Sequence, residues 1–247
     1  MLAGLATLVV AFAGFAADSV CFGTPGHGRL EHAARIPVSG ANFQPYSPLG
    51  VRLGRTHAHS RVVRVITNAY GALERSMPDR LFVYGESGWA QGGPFRPHRT
   101  HQNGLAVDFM VPVLDESGRS VPLPARVDNK FGYGIEFDRH GRHGRLRIDY
   151  EAIAEHLQAV HSAARREGIA VDRVIFDPAL IPALYRTRRG DFIRRASKAR
   201  YLATGNRFLP PCLRPDGAFR VTRSTDGRES RNRCGNARHA GPRPVPA

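Results

Sequence analysis

Residues 98–108 read His-Arg-Thr-His-Gln-Asn-Gly-Leu-Ala-Val-Asp, and they constrain the fold of this 247-residue chain more than any other stretch. His98 and His101 lie three positions apart, and Asp108 follows seven positions after the second histidine. The aspartate falls inside a run that reads as a strand. Leu105, Val107, Phe109 and Val111 alternate with Ala106, Asp108 and Met110. Side chains on a strand alternate between faces, so the large apolar set can enter a core while Asp108 points the other way, toward the histidine loop. Two imidazoles and a carboxylate converging at a strand start are half of a metal site of the catalytic kind, with N and O ligands and room for water. For a lone His–Asp pair the ordinary reading is a loop histidine beside a solvated strand edge. The surrounding pattern favours the metal.

The rest of the chain alternates strands with helices and long loops. Residues 22–57 read as extended and loop-like, anchored by Phe43 and Tyr46. Residues 58–77 carry Val62, Ile66, Ala69 and Leu73 on one helical stripe, stopped by Pro78. A short strand is predicted at 81–84, a glycine-rich loop at 85–97, and a turn-rich insertion at 112–134 beside the site. Gly85-Glu86-Ser87-Gly88 lacks the Gly-x-Ser-x-Gly pattern of a nucleophile elbow. Trp89, the single tryptophan, is either a groove-lining ring or a packing anchor. Asp149 is placed to cap a helix running to about residue 167, with Ile153, Leu157, Val160 and Ala164 inward and Gly168 as its stop. On that helix His156 is expected to face solvent and His161 to sit beside the apolar stripe. A strand at 173–176 and a short basic helix from 191 to about 202 follow, with Asp177-Pro178 as a turn between them. The expected class is α+β, a small antiparallel sheet flanked by helices and holding the metal.

Both ends differ from this body. Residues 1–17 are small and apolar, without a charge before Asp18, and fit a secretory signal better than a membrane span of about 20 residues. From Gly205 to Ala247 apolar periodicity is lost. Between Cys212 and Ala247 stand eight arginines against three acids. Such a segment, 205–247, is expected to stay disordered, and is also what GC-rich DNA yields when read out of frame. The body is therefore 18–204. Cys21, Cys212 and Cys234 have no metal-type spacing; in an exported chain one disulfide can form, with its pairing open. Lys130 and Lys198 are the only lysines among 36 basic residues, and the net charge is +15. A basic surface suits anionic envelope polymers, acidic lipids or nucleic acid alike.

The stretch from Phe82-Val-Tyr-Gly85 through Gly92-Gly93 to His98-x2-His101-x6-Asp108 resembles the penicillin-insensitive murein endopeptidases. These belong with the His-x6-Asp zinc peptidases grouped with lysostaphin, D-Ala-D-Ala peptidases and hedgehog domains. Gly23-Thr-Pro25 and Val174-Ile-Phe-Asp-Pro178 extend the likeness over roughly 21–200. The resemblance implies a hedgehog/D-Ala-D-Ala peptidase-like site with His101 and Asp108 as zinc ligands. For His98 it suggests a second metal, against the alternatives of orienting His101 or a substrate carboxylate. Asp138, His140 and His143 lie roughly where the family's second-metal residues fall, although a charged hairpin tip explains them as well. The family closes its site with a C-terminal His-x-His, and none occurs here after residue 59. The third ligand and the general base are thus unassigned, with His239 available only if the tail folds back.

Three functions compete on this reading. The first is a periplasmic or secreted zinc endopeptidase that cuts D-alanyl peptide cross-links in peptidoglycan. The second is an impaired relative that binds peptidoglycan without cleaving it. The third is a nucleic-acid binder acting through the basic tail. The signal-like start and the lack of aromatics interleaved with the arginines stand against the third, so no nucleic-acid partner is expected. No stable membrane insertion is expected once the signal is removed.

Overall fold

A computed structural model describes residues 17–125, 134–197 and 207–209. The predicted signal, Cys212, Cys234 and His239 lie outside the described residues. Among the described residues thirteen strands and five helices follow in order: β1 (Val20–Thr24), β2 (His27–Glu31), β3 (Ala34–Arg35), β4 (Phe43–Pro45), α1 (Pro48–Arg52), β5 (His57–Ala58), α2 (Ser60–Ser76), β6 (Phe82–Tyr84), β7 (Val107–Met110), β8 (Val113–Leu114), β9 (Ser120–Val121), β10 (Arg142–His143), β11 (Leu146–Ile148), α3 (Tyr150–Arg166), β12 (Arg173–Ile175), α4 (Ile181–Leu184), α5 (Gly190–Ser197) and β13 (Arg207–Leu209). The fold is α+β with small sheets, as the sequence predicts.

The central sheet has the order β12-β13-β7-β6-β4, antiparallel throughout except for the β4–β6 pair. Its two faces have different tasks. Tyr84 lies opposite Phe109, and the rings of Phe82 and Phe109 meet Tyr70 of α2 and His156 of α3. That face, closed by both long helices, is the core. Alternation sends Asp108 to the other face, where the connection between β6 and β7 folds over it.

Both helices follow their predicted stripes. Val62, Ile66, Ala69 and Leu73 are buried on α2, and Ile153, Leu157, Val160 and Ala164 on α3. Asp149 caps α3 by accepting from the Ala152 N–H at 3.0 Å, while its other oxygen accepts from Arg80 Nε at 2.6 Å. His156 departs from expectation. It is buried, and stacks on Tyr70 at 5.4 Å between ring centres. It lies three residues after Ile153 and four before Val160, and α3 is covered by the sheet, α2, α4 and α5, so its buried arc is wider than the stripe. His161 is half-buried and meets the Phe192 ring edge-on.

Two segments expected to be irregular contain pairing. β1 and β2 form an antiparallel hairpin inside the predicted loop region. Its backbone then supports the site: Gly93 N–H donates to Gly28 O at 3.0 Å, and Gln102 N–H to Pro25 O at 2.9 Å. β13 lies within the segment 205–247. Its backbone fills the lane between β7 and β12, satisfying groups that an open edge would leave to solvent, and its register sets Arg207 opposite Asp108.

Candidate metal centre

The connection from β6 to β7 carries Glu86, His98 and His101. It leaves β6 still paired: Gly85 N–H donates to Asp108 O at 2.7 Å, and Asp108 N–H donates to Glu86 O at 3.0 Å. Glu86 is therefore held beside Asp108 by backbone bonds before any side chain is considered. The connection then turns outward through Trp89, returns through Phe95 and a cis Arg96–Pro97 peptide, and delivers His98 and His101 over the strand.

His101 is fully buried and has φ +74°, in the left-handed region that costs a residue with a Cβ of order 1–2 kcal/mol. Its neighbours hold it there. Nδ1 lies 3.1 Å from both the Ser87 and Ala106 carbonyl oxygens. Only a protonated nitrogen can approach two carbonyls, so Nδ1 carries a hydrogen and Nε2 is the nitrogen turned toward Asp108. Nε2 is buried without a hydrogen-bond partner and lies 3.2 Å from Asp108 Oδ1. Gly88 makes the loop's approach feasible. Its φ is +150°, and a Cβ there would stand 2.7 Å from the His101 carbonyl oxygen.

His98 is arranged in the same way with the nitrogens exchanged. Nε2 lies 2.8 Å from Glu86 Oε2, and Nδ1 lies 3.4 Å from Asp108 Oδ2. Burial alone would raise the Glu86 carboxyl, but hydrogen bonds from His98 and Arg55 with the Arg55 charge hold it below its ordinary range. An ionised carboxylate only accepts, so His98 Nε2 is the protonated nitrogen. Arg55 closes the chain: its Nε and Nη2 both donate to Glu86, the latter at 2.7 Å, and Nη2 also donates to Arg96 O at 2.8 Å. Phe95 packs against both ends of this chain. The Arg55 guanidinium lies 4.1 Å from its ring centre, and His98 stacks at 5.4 Å. Trp89 packs edge-on against Phe95 and donates from Nε1 to Pro94 O at 3.2 Å, the anchor of the two roles its sequence position allows.

The inner atoms of His98, His101 and Asp108 all lie within 4.8 Å of one another, and all three residues are buried. Two imidazole nitrogens turned toward one carboxylate in a dry pocket suit a positive charge held among them. His98 Nδ1 and His101 Nε2 reach different oxygens of Asp108, at 3.4 Å and 3.2 Å, and two imidazole nitrogens with a carboxylate are the donor types that zinc takes. The donor set thus fits a divalent cation. A small cavity lined by Tyr46, Ser47, Thr56 and Met110 adjoins Glu86, His98 and Asp108.

Asp138, His140 and His143 do not join this group. Asp138 Oδ1 accepts from the backbone N–H groups of His140 and Arg142, each at 2.8 Å, and shapes a turn. His143 Nδ1 lies 2.8 Å from Glu136 O. Among the described residues His98, His101 and Asp108 are the one set gathered closely enough to hold a metal. Arg55, Glu86 and Phe95 were not predicted for the site. A signal existed for Glu86, an acid just past a buried strand whose antiparallel partner carries Asp108.

A model of the penicillin-insensitive murein endopeptidases matches residues 21–196. Among curated proteins, none matches the chain.

Proposed function

The chain belongs to the penicillin-insensitive murein endopeptidase family, and on that premise we propose that it is a zinc-dependent hydrolase of D-alanyl peptide cross-links in peptidoglycan. The observation that carries this reading is the convergence of His98 Nδ1, His101 Nε2 and the Asp108 carboxylate on one buried point. In this reading the three residues hold the ion. Zinc, when bound, supplies Lewis acidity, lowering the pKa of water to about 7 and polarising the scissile carbonyl. The chain's own contribution is orientation. Backbone carbonyls set the His101 tautomer, Glu86 sets that of His98, and Phe95 keeps bulk water from the imidazoles. A murein substrate implies a place outside the cytoplasm, periplasmic or secreted, and the net charge of +15 favours carboxylate-rich stem peptides. Among the described residues no helix is long and apolar enough to cross a membrane.

One observation favours a second reading, a relative that binds peptidoglycan without cutting it. The strand beside Asp108 reads Arg207-Phe208-Leu209 and brings no His-x-His to the sheet. Digestion of purified cross-linked muropeptide dimers with zinc present, followed by mass spectrometry, separates the two. Release of monomers that chelator suppresses supports the endopeptidase. Intact dimers, with sacculi still sedimenting the protein, sink it in favour of the binder.

A further inference from the structure

A histidine can ligate through either ring nitrogen, and the choice depends on what holds the other one. For His101 the holding groups are backbone carbonyls, which come with the fold. For His98 the holding group is a side chain, Glu86, at 2.8 Å. That carboxylate is itself clamped by Arg55, whose guanidinium is only 10% exposed and is wedged against Phe95 and Trp89. A buried Arg–Glu pair is seldom a gain in stability over apolar residues of the same volume, so its presence beside a donor cluster calls for another role.

We propose that Glu86, locked by Arg55, is a positioning residue that commits His98 to metal ligation through Nδ1. The chain of contacts runs Arg55–Glu86–His98–Asp108, every member buried. The carboxylate accepts a hydrogen bond from Nε2–H and turns Nδ1 toward the point where His101 Nε2 and Asp108 converge. It also makes the imidazole a stronger donor, as a hydrogen-bonded carboxylate does for a ligating histidine. Without Glu86 the His98 ring is free to flip, or to place its hydrogen on Nδ1 and donate to Asp108. Either change removes one ligand and leaves two. This inference rests on the ligand reading above.

The test is a cycle of Glu86→Gln and His98→Ala, with cobalt(II) as the probe. Affinity is read by competition against a chromophoric chelator, geometry by the visible d–d bands, and folding by melting of the metal-free proteins. Glu86→Gln should weaken cobalt binding about 10–100-fold and shift the d–d bands. In the His98→Ala background the same substitution should have no further effect, because the residue it positions is gone. If Glu86→Gln binds cobalt as the wild type does, or weakens it equally with and without His98, the positioning role is overturned while the ligand reading stands. If the wild type binds no cobalt, both fall together. Should Glu86→Gln fail to fold, the pair Arg55→Met with Glu86→Leu removes both charges and must show the same 10–100-fold loss.

Discussion

His101 Nε2 and Asp108 Oδ1 face each other across 3.2 Å, seven residues apart in sequence, and His101 is wholly sealed from water. The fold brings these two groups together and the unfolded chain does not, so an ion held between them should stabilise the folded chain. At a free concentration 100 times its dissociation constant, an ion that binds only the native state contributes about 2.7 kcal/mol. Differential scanning calorimetry should show a rise in melting temperature with zinc, reversed by chelator. His101→Ala and Asp108→Ala should each abolish that rise and keep a cooperative transition. Full zinc occupancy in either variant would overturn the assignment of these ligands.

Gly88→Ala tests whether the histidine loop is held by backbone contact. The added methyl would meet the His101 carbonyl oxygen, and no flexible side chain is there to move aside. We expect a loss of about 1–3 kcal/mol in stability and weaker cobalt binding with altered d–d bands. Unchanged bands would mean that the loop tolerates displacement and that His101 is fixed by its side chain alone.

Acid should unfold this protein through its buried histidines. Burial depresses His156 to about 3 and, with Arg61 as the next cause, His59 to about 4, both from 6.5. Each is neutral in the fold and takes up a proton on unfolding below 6.5. Their stabilisation is therefore complete above pH 6.5 and is lost as the pH falls toward the folded values. Each contributes a slope of about 1.4 kcal/mol per pH unit across its window. His156→Phe, which suits a cage of Tyr70, Phe82 and Phe109, should flatten the acid limb by one proton in urea melts from pH 7 to 4. An unchanged slope would show that His156 is not the titrating group.

Arg55→Ala should cost about 3–5 kcal/mol, because it strands the Glu86 carboxylate in the interior. Replacing both residues with Met and Leu should recover most of that loss. Chemical denaturation of the three proteins checks this. A double variant no more stable than Arg55→Ala would mean that the pair is needed for folding itself.

How much of this could be read from the sequence depends on the distance over which each feature is decided. Asp108 could be assigned to its face because strand alternation is local, and Asp149 because a cap concerns only its own next turn. His156 could not. Its burial depends on how many elements crowd α3, which no period within the helix reveals. Arg55 meets Glu86 across 31 positions, and only the return of the chain past α2 and β6 brings them together. Charged residues in Gly-rich stretches read as solvated until a fold buries them. The composition of 205–247 argues against order, yet the Arg207–Leu209 strand pairs where the sheet has an open lane. Pairing is backbone chemistry that composition barely registers.

That last strand bears on how the protein may be cut down for study. The family match ends at residue 196, before β13. A fragment trimmed to the match would bare the flanks of β7 and β12, two rows of unmet N–H and C=O groups. Such rows recruit strands from other chains. The trimmed protein should self-associate into aggregates where the longer one stays dispersed, and a poorly behaved minimal fragment would be a property of the trimming rather than of the family fold.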